Sequence, residues 1–181
     1  MLKFWDDEVL LAKISQRLGS AGAPSGTAGP PPAAAPAPPE EVTNLFEAAR
    51  WGDLEAVEDF IAVGKDVNAA DKEGRRPLHV AVAYGRDEPG MQIVQALLEA
   101  GAQLEAVDVK MNTALHYAAG YGRAEYARML LDAGADASRR NETGKSALEL
   151  VRLSPKNPVR EDAELMARLE KADSAVFFRD S

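Results

Sequence analysis

The chain has 181 residues, is 46% hydrophobic and carries a formal net charge of -8 with a pI near 4.9. That is enough apolar material for one packed domain, while the acidic balance argues against binding nucleic acid through a general basic field. The absence of cysteine excludes disulfides and thiolate metal sites, and two histidines in equivalent repeat positions are a poor start for a metal cage, so no cofactor is expected.

In chain order, residues 1–19, MLKFWDDEVLLAKISQRLG, predict a short amphipathic helix. Asp6 or Asp7 can cap it, and Leu10, Ile14 and Leu18 recur on one face. A helix this short is marginal alone in water, so its apolar face needs a partner. It either packs back on the domain that follows or is the end of a longer helical module. Asp6, Asp7 and Glu8 also interrupt what a secretory signal would need as an apolar region. No apolar run is long enough to span a bilayer, and the expected location is the cytosol. Residues 20–40, SAGAPSGTAGPPPAAAPAPPE, lack bulky apolar side chains and lose backbone donors at each proline, which predicts a disordered linker with polyproline II stretches.

A repeat occupies residues 41–172. Thr43 and Arg76 are 33 residues apart, as are Thr113 and Ser146, whereas Arg76 and Thr113 are separated by 37 because Asp87-Glu88-Pro89-Gly90 interrupts the second unit. Each unit reads as a short helix, a second helix and a turn. The motif stands as RPLHVAVAYGR from Arg76 and TALHYAAGYGR from Thr113, with closing segments Gly101-Ala102-Gln103 and Gly134-Ala135-Asp136. This period and wording resemble ankyrin repeats. The implied fold is all-α: a solenoid of four helix-turn-helix repeats with atypical capping units at both ends.

Compact residues such as Ala81, Leu115, Ala118 and Ala119 let first helices approach closely, and Gly74 and Gly144 fall where a tight turn needs positive φ. His79 and His116 are read as loop-tying scaffold. In the last unit, the prolines of SPKNPVRED separate the first helix from a second over 163–171, and residues 173–181 form a tail in which Phe177-Phe178 could cover that helix. Paired acids such as Glu55 with Glu58, or Glu161 with Asp162, fit solvated helix faces. No catalytic constellation is present in the sequence, so an enzyme is not expected.

The position before the glycine that ends each first helix is Trp51, Tyr84 and Tyr121 in successive units, followed two residues later by Asp53, Arg86 and Arg123. In ankyrin proteins this part of the repeat lies along the concave groove, so an aromatic row beside a partly basic one is placed there by resemblance. Such a row can take a peptide, a sugar ring or a lipid phosphate, or can pack on the neighbouring repeat.

Three stretches carry a closer resemblance: LKFWDDEVLLAKISQRLG, NTALHYAAGYGR and LEKADSAVFF. They are similar to segments of the ankyrin repeat-containing protein 2 family, cytosolic plant and algal chaperones that escort proteins to the chloroplast outer envelope. The first looks like the last helix of that family's Sti1-like client-binding module. The resemblance implies hydrophobic membrane-protein clients and reversible binding to chloroplast envelope lipids. The family's second lipid site, for phosphatidylglycerol, falls on Tyr121 and Arg123. Its first, for a galactolipid, falls on Phe46 and Ala69, where the family has His and Glu, so that site is weakened. Trp51, Tyr84 and Arg86 are further groove candidates, and Arg139 and Arg140 could add positive charge. The alternative is a generic ankyrin protein-interaction module.

Overall fold

In the computed structural model, residues 43–85 and 87–177 are described. The expected N-terminal helix and linker, Arg86, and Phe178 lie outside them. Eight α-helices and one 3-10 turn follow in order among the described residues, without strands. They are α1 (Leu45–Trp51), α2 (Leu54–Ala62), α3 (Pro77–Tyr84), α4 (Asp87–Glu99), α5 (Ala114–Gly120), α6 (Ala124–Asp132), α7 (Ala147–Leu153), the 3-10 turn (Pro158–Glu161) and α8 (Ala163–Phe177). None of these helices is long and apolar enough to cross a membrane.

The helices pair as four helix-turn-helix units. Within the stack, α1 packs on α3, α3 on α5 and α5 on α7, so the first helices form one layer; α2 on α4 begins the second. Small side chains make the first layer close: Ala48, Ala49, Ala81, Ala118 and Ala119 are fully buried. Leu78, Leu115 and Leu148 recur at one register position and fill the spaces between units, while Ile93, Leu97 and Leu130 do the same from the second helices. Each buried leucine stabilises its unit and its neighbour together, which is why single repeats of this kind do not stand alone.

Local chemistry fixes the helix starts. Ser146 Oγ accepts from Glu149 N while Glu149 Oε2 accepts from Ser146 N, a reciprocal cap, and Asp53 Oδ1 accepts from Ala56 N. In the first unit the cap is one residue later than the repeat register predicts. Asn44 takes it, accepting from Glu47 N, while Thr43 donates through N and Oγ1 to Glu47 Oε2.

The insertion Asp87-Glu88-Pro89-Gly90 neither bulges away nor breaks the stack; it becomes the first turn of α4. Gly90 makes this fit. A Cβ there would stand 2.9 Å from Gly85 Cα and closer still to the Tyr126 hydroxyl, so only glycine lets the added turn press against the third unit. At the other end, α8 continues to Phe177, beyond the helix end expected near 171. Glu161 and Asp162 do not share a solvated helix face. Asp162 caps α8 by accepting from Leu165 N, and it also accepts from Arg128 Nε at 2.8 Å.

Candidate functional site

The hairpins that join units stand beside the first-helix layer. Their turns share one geometry: Asp71, Asp108 and Asn141 each accept, through Oδ1, from backbone N–H groups two and four residues on. Neighbouring tips are bonded side by side, Val109 N donating to Glu73 O at 3.0 Å and Glu142 N to Lys110 O at 2.9 Å. In the first and third tips the residue forced to positive φ is glycine, Gly74 at 72° and Gly144 at 73°. In the middle tip it is Met111, at 59°. Holding a non-glycine side chain in that region costs about 1–2 kcal/mol, and the Asp108 hydrogen bonds impose it.

The histidines behave as scaffold. His79 Nδ1 accepts from Arg76 N, and its Nε2 meets the carbonyls of Ala106 and Asn112 at 3.0 and 3.2 Å. His116 repeats this one unit on, with Nδ1 accepting from Thr113 N and Nε2 donating to Lys145 O. An accepting Nδ1 requires the neutral ring, and burial pushes both imidazoles below their ordinary value despite the carbonyls that favour the charged form.

Between hairpins and helices runs a groove whose chemistry changes along its length. At the first two units Asp71, Arg75, Arg50, Phe46, Glu47, Val80 and Tyr84 line a cleft of about 100 Å³. Arg75 donates to Asp71 Oδ2 and Glu73 Oε2. Burial pushes the Asp71 carboxyl up, but the Arg75 hydrogen bonds outweigh it and hold the group below its usual value. The Arg50 guanidinium lies 4.8 Å over the Tyr84 ring and 5.6 Å from that of Trp51, without a carboxylate partner among the described residues.

Toward the third and fourth units the large side chains left exposed are aromatic or aliphatic. Tyr117 and Tyr121 stack with centroids 6.1 Å apart, and His79 meets Tyr117 edge-on at 5.6 Å. Tyr117 Oη donates to Asp108 Oδ2 at 2.8 Å. Burial and that carboxylate together push the phenol well above its ordinary pKa. Tyr121 is 57% exposed, Leu153 63%, Val109 65% and Met111 46%. Leu153 occupies the register position of Arg50, so it faces the same groove.

Of the residues expected to act, Tyr84 lines the cleft of the first two units, Tyr121 is exposed on Tyr117, and Trp51 is half-buried at the end of α1 under Arg50. Phe46 belongs to the cleft of the first two units, whereas Ala69 lies in the turn after α2, its N–H donating to Asp66 O. Arg123 precedes α6 and lines a second cleft with Glu88, Met91, Glu125 and Tyr126, while Tyr121, across Gly122, stacks on Tyr117. Arg139 pairs with Glu105 at 3.6 Å, and Arg140 with Glu149 at 2.8 Å and Asp173 at 3.4 Å, so neither is spare positive charge. The sequence reading missed Met111 and Val109. The signal was in the repeat register, which sets Met111 opposite Gly74 and Gly144 and Val109 opposite Lys72 and Glu142.

A family model of ankyrin repeats in three copies matches residues 45–141, over half of the chain. The chain belongs to the ankyrin-repeat family. Among curated proteins, this ankyrin-repeat chain is similar to myotrophin of Xenopus laevis, 51% identical over 41 residues, and to myotrophin of Xenopus tropicalis, 46% identical over 41 residues. Each match covers 23% of this chain and 35% of the relative, about a third of the relatives' length. The fourth helix pair, α7 with α8, lies beyond the matched residues and continues the stack. Ankyrin repeats mark a protein–protein interaction module.

Proposed function

We propose that this chain is a non-enzymatic binding module that holds an apolar segment of a protein partner along the groove, with Tyr84, Tyr121 and Leu153 as contacts. One observation carries the reading. Apolar side chains at the inward register positions are buried to completion, yet the groove positions of the same helices keep large apolar groups in solvent. Tyr121 and Tyr84 combine an apolar ring with a polar tip at little conformational cost, the profile of interface anchors. Peptides selected from a displayed library against the full chain provide the test. Tyr84→Ser with Tyr121→Ser is expected to weaken them at least about tenfold while lowering the thermal midpoint by only a few degrees, about what losing the ring contacts to Arg50 and Tyr117 costs. Equal binding by that variant would remove the groove from the interface.

A second reading follows the resemblance to the chloroplast-targeting ankyrin chaperones. In it the domain attaches reversibly to envelope lipid through Tyr121 and Arg123, in the cytosol, to deliver hydrophobic membrane-protein clients. The exposure of Tyr121 supports it, while Arg123 stands in the neighbouring cleft with Glu88 and Glu125. Each basic group near an anionic surface contributes about 1 kcal/mol, so the attachment would be weak and salt-sensitive. Flotation with liposomes containing phosphatidylglycerol decides: binding that survives Tyr121→Ala with Arg123→Ala, or that ignores salt, sinks this assignment.

A further inference from the structure

The middle hairpin tip differs from its neighbours in two independent ways. Its first outer position is apolar, Val109, where the flanking tips carry the charged Lys72 and Glu142. It also keeps a methionine at φ 59° where the other two tips use glycine. Neither feature serves the fold: Val109 and Met111 are among the most exposed large apolar residues described, and the Asp108 hydrogen bonds would hold the turn with glycine in place. Strain retained under an exposed side chain points to a contact that the side chain makes outside the domain. Lys110 stands between the two, exposed and without a carboxylate partner among the described residues.

The surface therefore reads apolar, basic, apolar along the tip. One segment of this same chain reads apolar, acidic, apolar: Phe4-Trp5, then Asp6-Asp7-Glu8, then Val9-Leu10-Leu11. It is tethered to the first unit through the linker that begins at residue 20, rich in Pro, Ala and Gly. A tether of that composition has a root-mean-square span of about 30 Å. The tip between the second and third units lies about two helix spacings from the start of the stack, on the order of 20 Å. A matched span gives an effective concentration in the millimolar range, so even a weak contact is occupied.

We infer that the Val109–Lys110–Met111 tip is the docking surface for residues 4–11 of the same chain. The inference rests on the groove being a protein-binding face, and it makes that face one that a partner must share with the chain's own N-terminal segment. Val109 and Met111 take Phe4, Trp5 and the following aliphatic residues, while Lys110 meets the acidic triplet.

The chain contains two tryptophans, so Trp51→Phe leaves Trp5 as the single reporter in the full-length protein. Its emission is expected to be blue-shifted and protected from iodide. Val109→Ser with Met111→Gly should shift it to the water-exposed position and raise quenching several-fold, while Met111→Gly alone leaves the thermal midpoint level or higher. Lys110→Glu should undock Trp5, and Asp7→Lys added to it should restore docking. Water-exposed emission in the parent overturns the inference, and so does docking that ignores the tip substitutions. A blue shift that grows with protein concentration assigns the surface to a second copy and overturns it equally. If Trp5 is exposed but selected peptides still depend on Tyr121, the occupant is wrong and the proposed function stands.

Discussion

The two halves of the groove share one scaffold and differ in chemistry. Along the first two units the lining is ionic and largely satisfied: Arg75 is tied to Asp71 and Glu73, and Arg50 rests on the rings of Tyr84 and Trp51. Beyond them the exposed large side chains are aromatic or aliphatic: Val109 and Met111 on the middle tip, Tyr121 stacked on Tyr117, and Leu153. Backbone register is the same in both, so the difference lies in the side chains that packing leaves free. A repeat fixes its inward positions by mutual burial and leaves the outward ones to recognition.

The largest effect is expected at the interior that both halves share. Leu115→Ala should destabilise the domain by about 2–5 kcal/mol, because the side chain is fully buried between units. Urea unfolding followed from both ends should show one transition, and separate transitions would mean that the halves fold independently. Acid comes next. Burial holds His79 and His116 below their ordinary 6.5, so below that pH the unfolded chain takes up protons that the native rings do not. Stability is therefore complete above about 6.5 and falls as pH drops toward the lower native values. Asp71 and Asp108 have depressed values, with burial outweighed by the hydrogen bonds they accept; their contribution is held above the ordinary 3.8 and lost only below it. Thermal scans between pH 7.5 and 5 should show the histidine loss, and a flat profile would contradict the neutral, buried rings.

The smallest effects separate the halves. Tyr117→Phe removes a hydrogen bond to a carboxylate in the apolar half and should cost about 1–2 kcal/mol. Arg50→Ala in the ionic half loses a cation over exposed rings and should cost about 0.5–1 kcal/mol. Measured in urea, the reverse order would show that the ring contacts around Arg50 hold more of the stack than the Asp108–Tyr117 link.

Much of this was legible in the sequence. The repeat period located Ala81, Leu115, Ala118 and Ala119, the two histidines named their own scaffold role by recurring at one position, and Gly74 and Gly144 marked the turns. The insertion was legible as a departure but not in outcome. Whether Asp87-Glu88-Pro89-Gly90 bulged or joined α4 depended on Gly90 meeting Gly85 and Tyr126, a contact between residues distant in sequence. Tyr121 and Arg123, two residues apart, read as one site, yet the turn at Gly122 sends the first onto Tyr117 and the second to the cleft of Glu88 and Glu125. Arg139 and Arg140 read as available charge until their carboxylate partners, Glu105 in a loop and Glu149 and Asp173 on α7 and α8, were in place.

By itself, then, the sequence determined the periodicity, and with it the layered helices, the interior and the hairpin turns, because those follow from local pattern and residue size. Only the tertiary structure decided which outward side chains are satisfied and which are left exposed. Ion pairs such as Arg139–Glu105 and Arg140–Asp173 and ring contacts such as Arg50–Tyr84 and His79–Tyr117 join residues about a repeat apart, and their presence depends on how neighbouring units are set against one another. That is why Met111, one methionine among five in the sequence, emerges as the strained, exposed tip of the groove only when its φ and its neighbours are known.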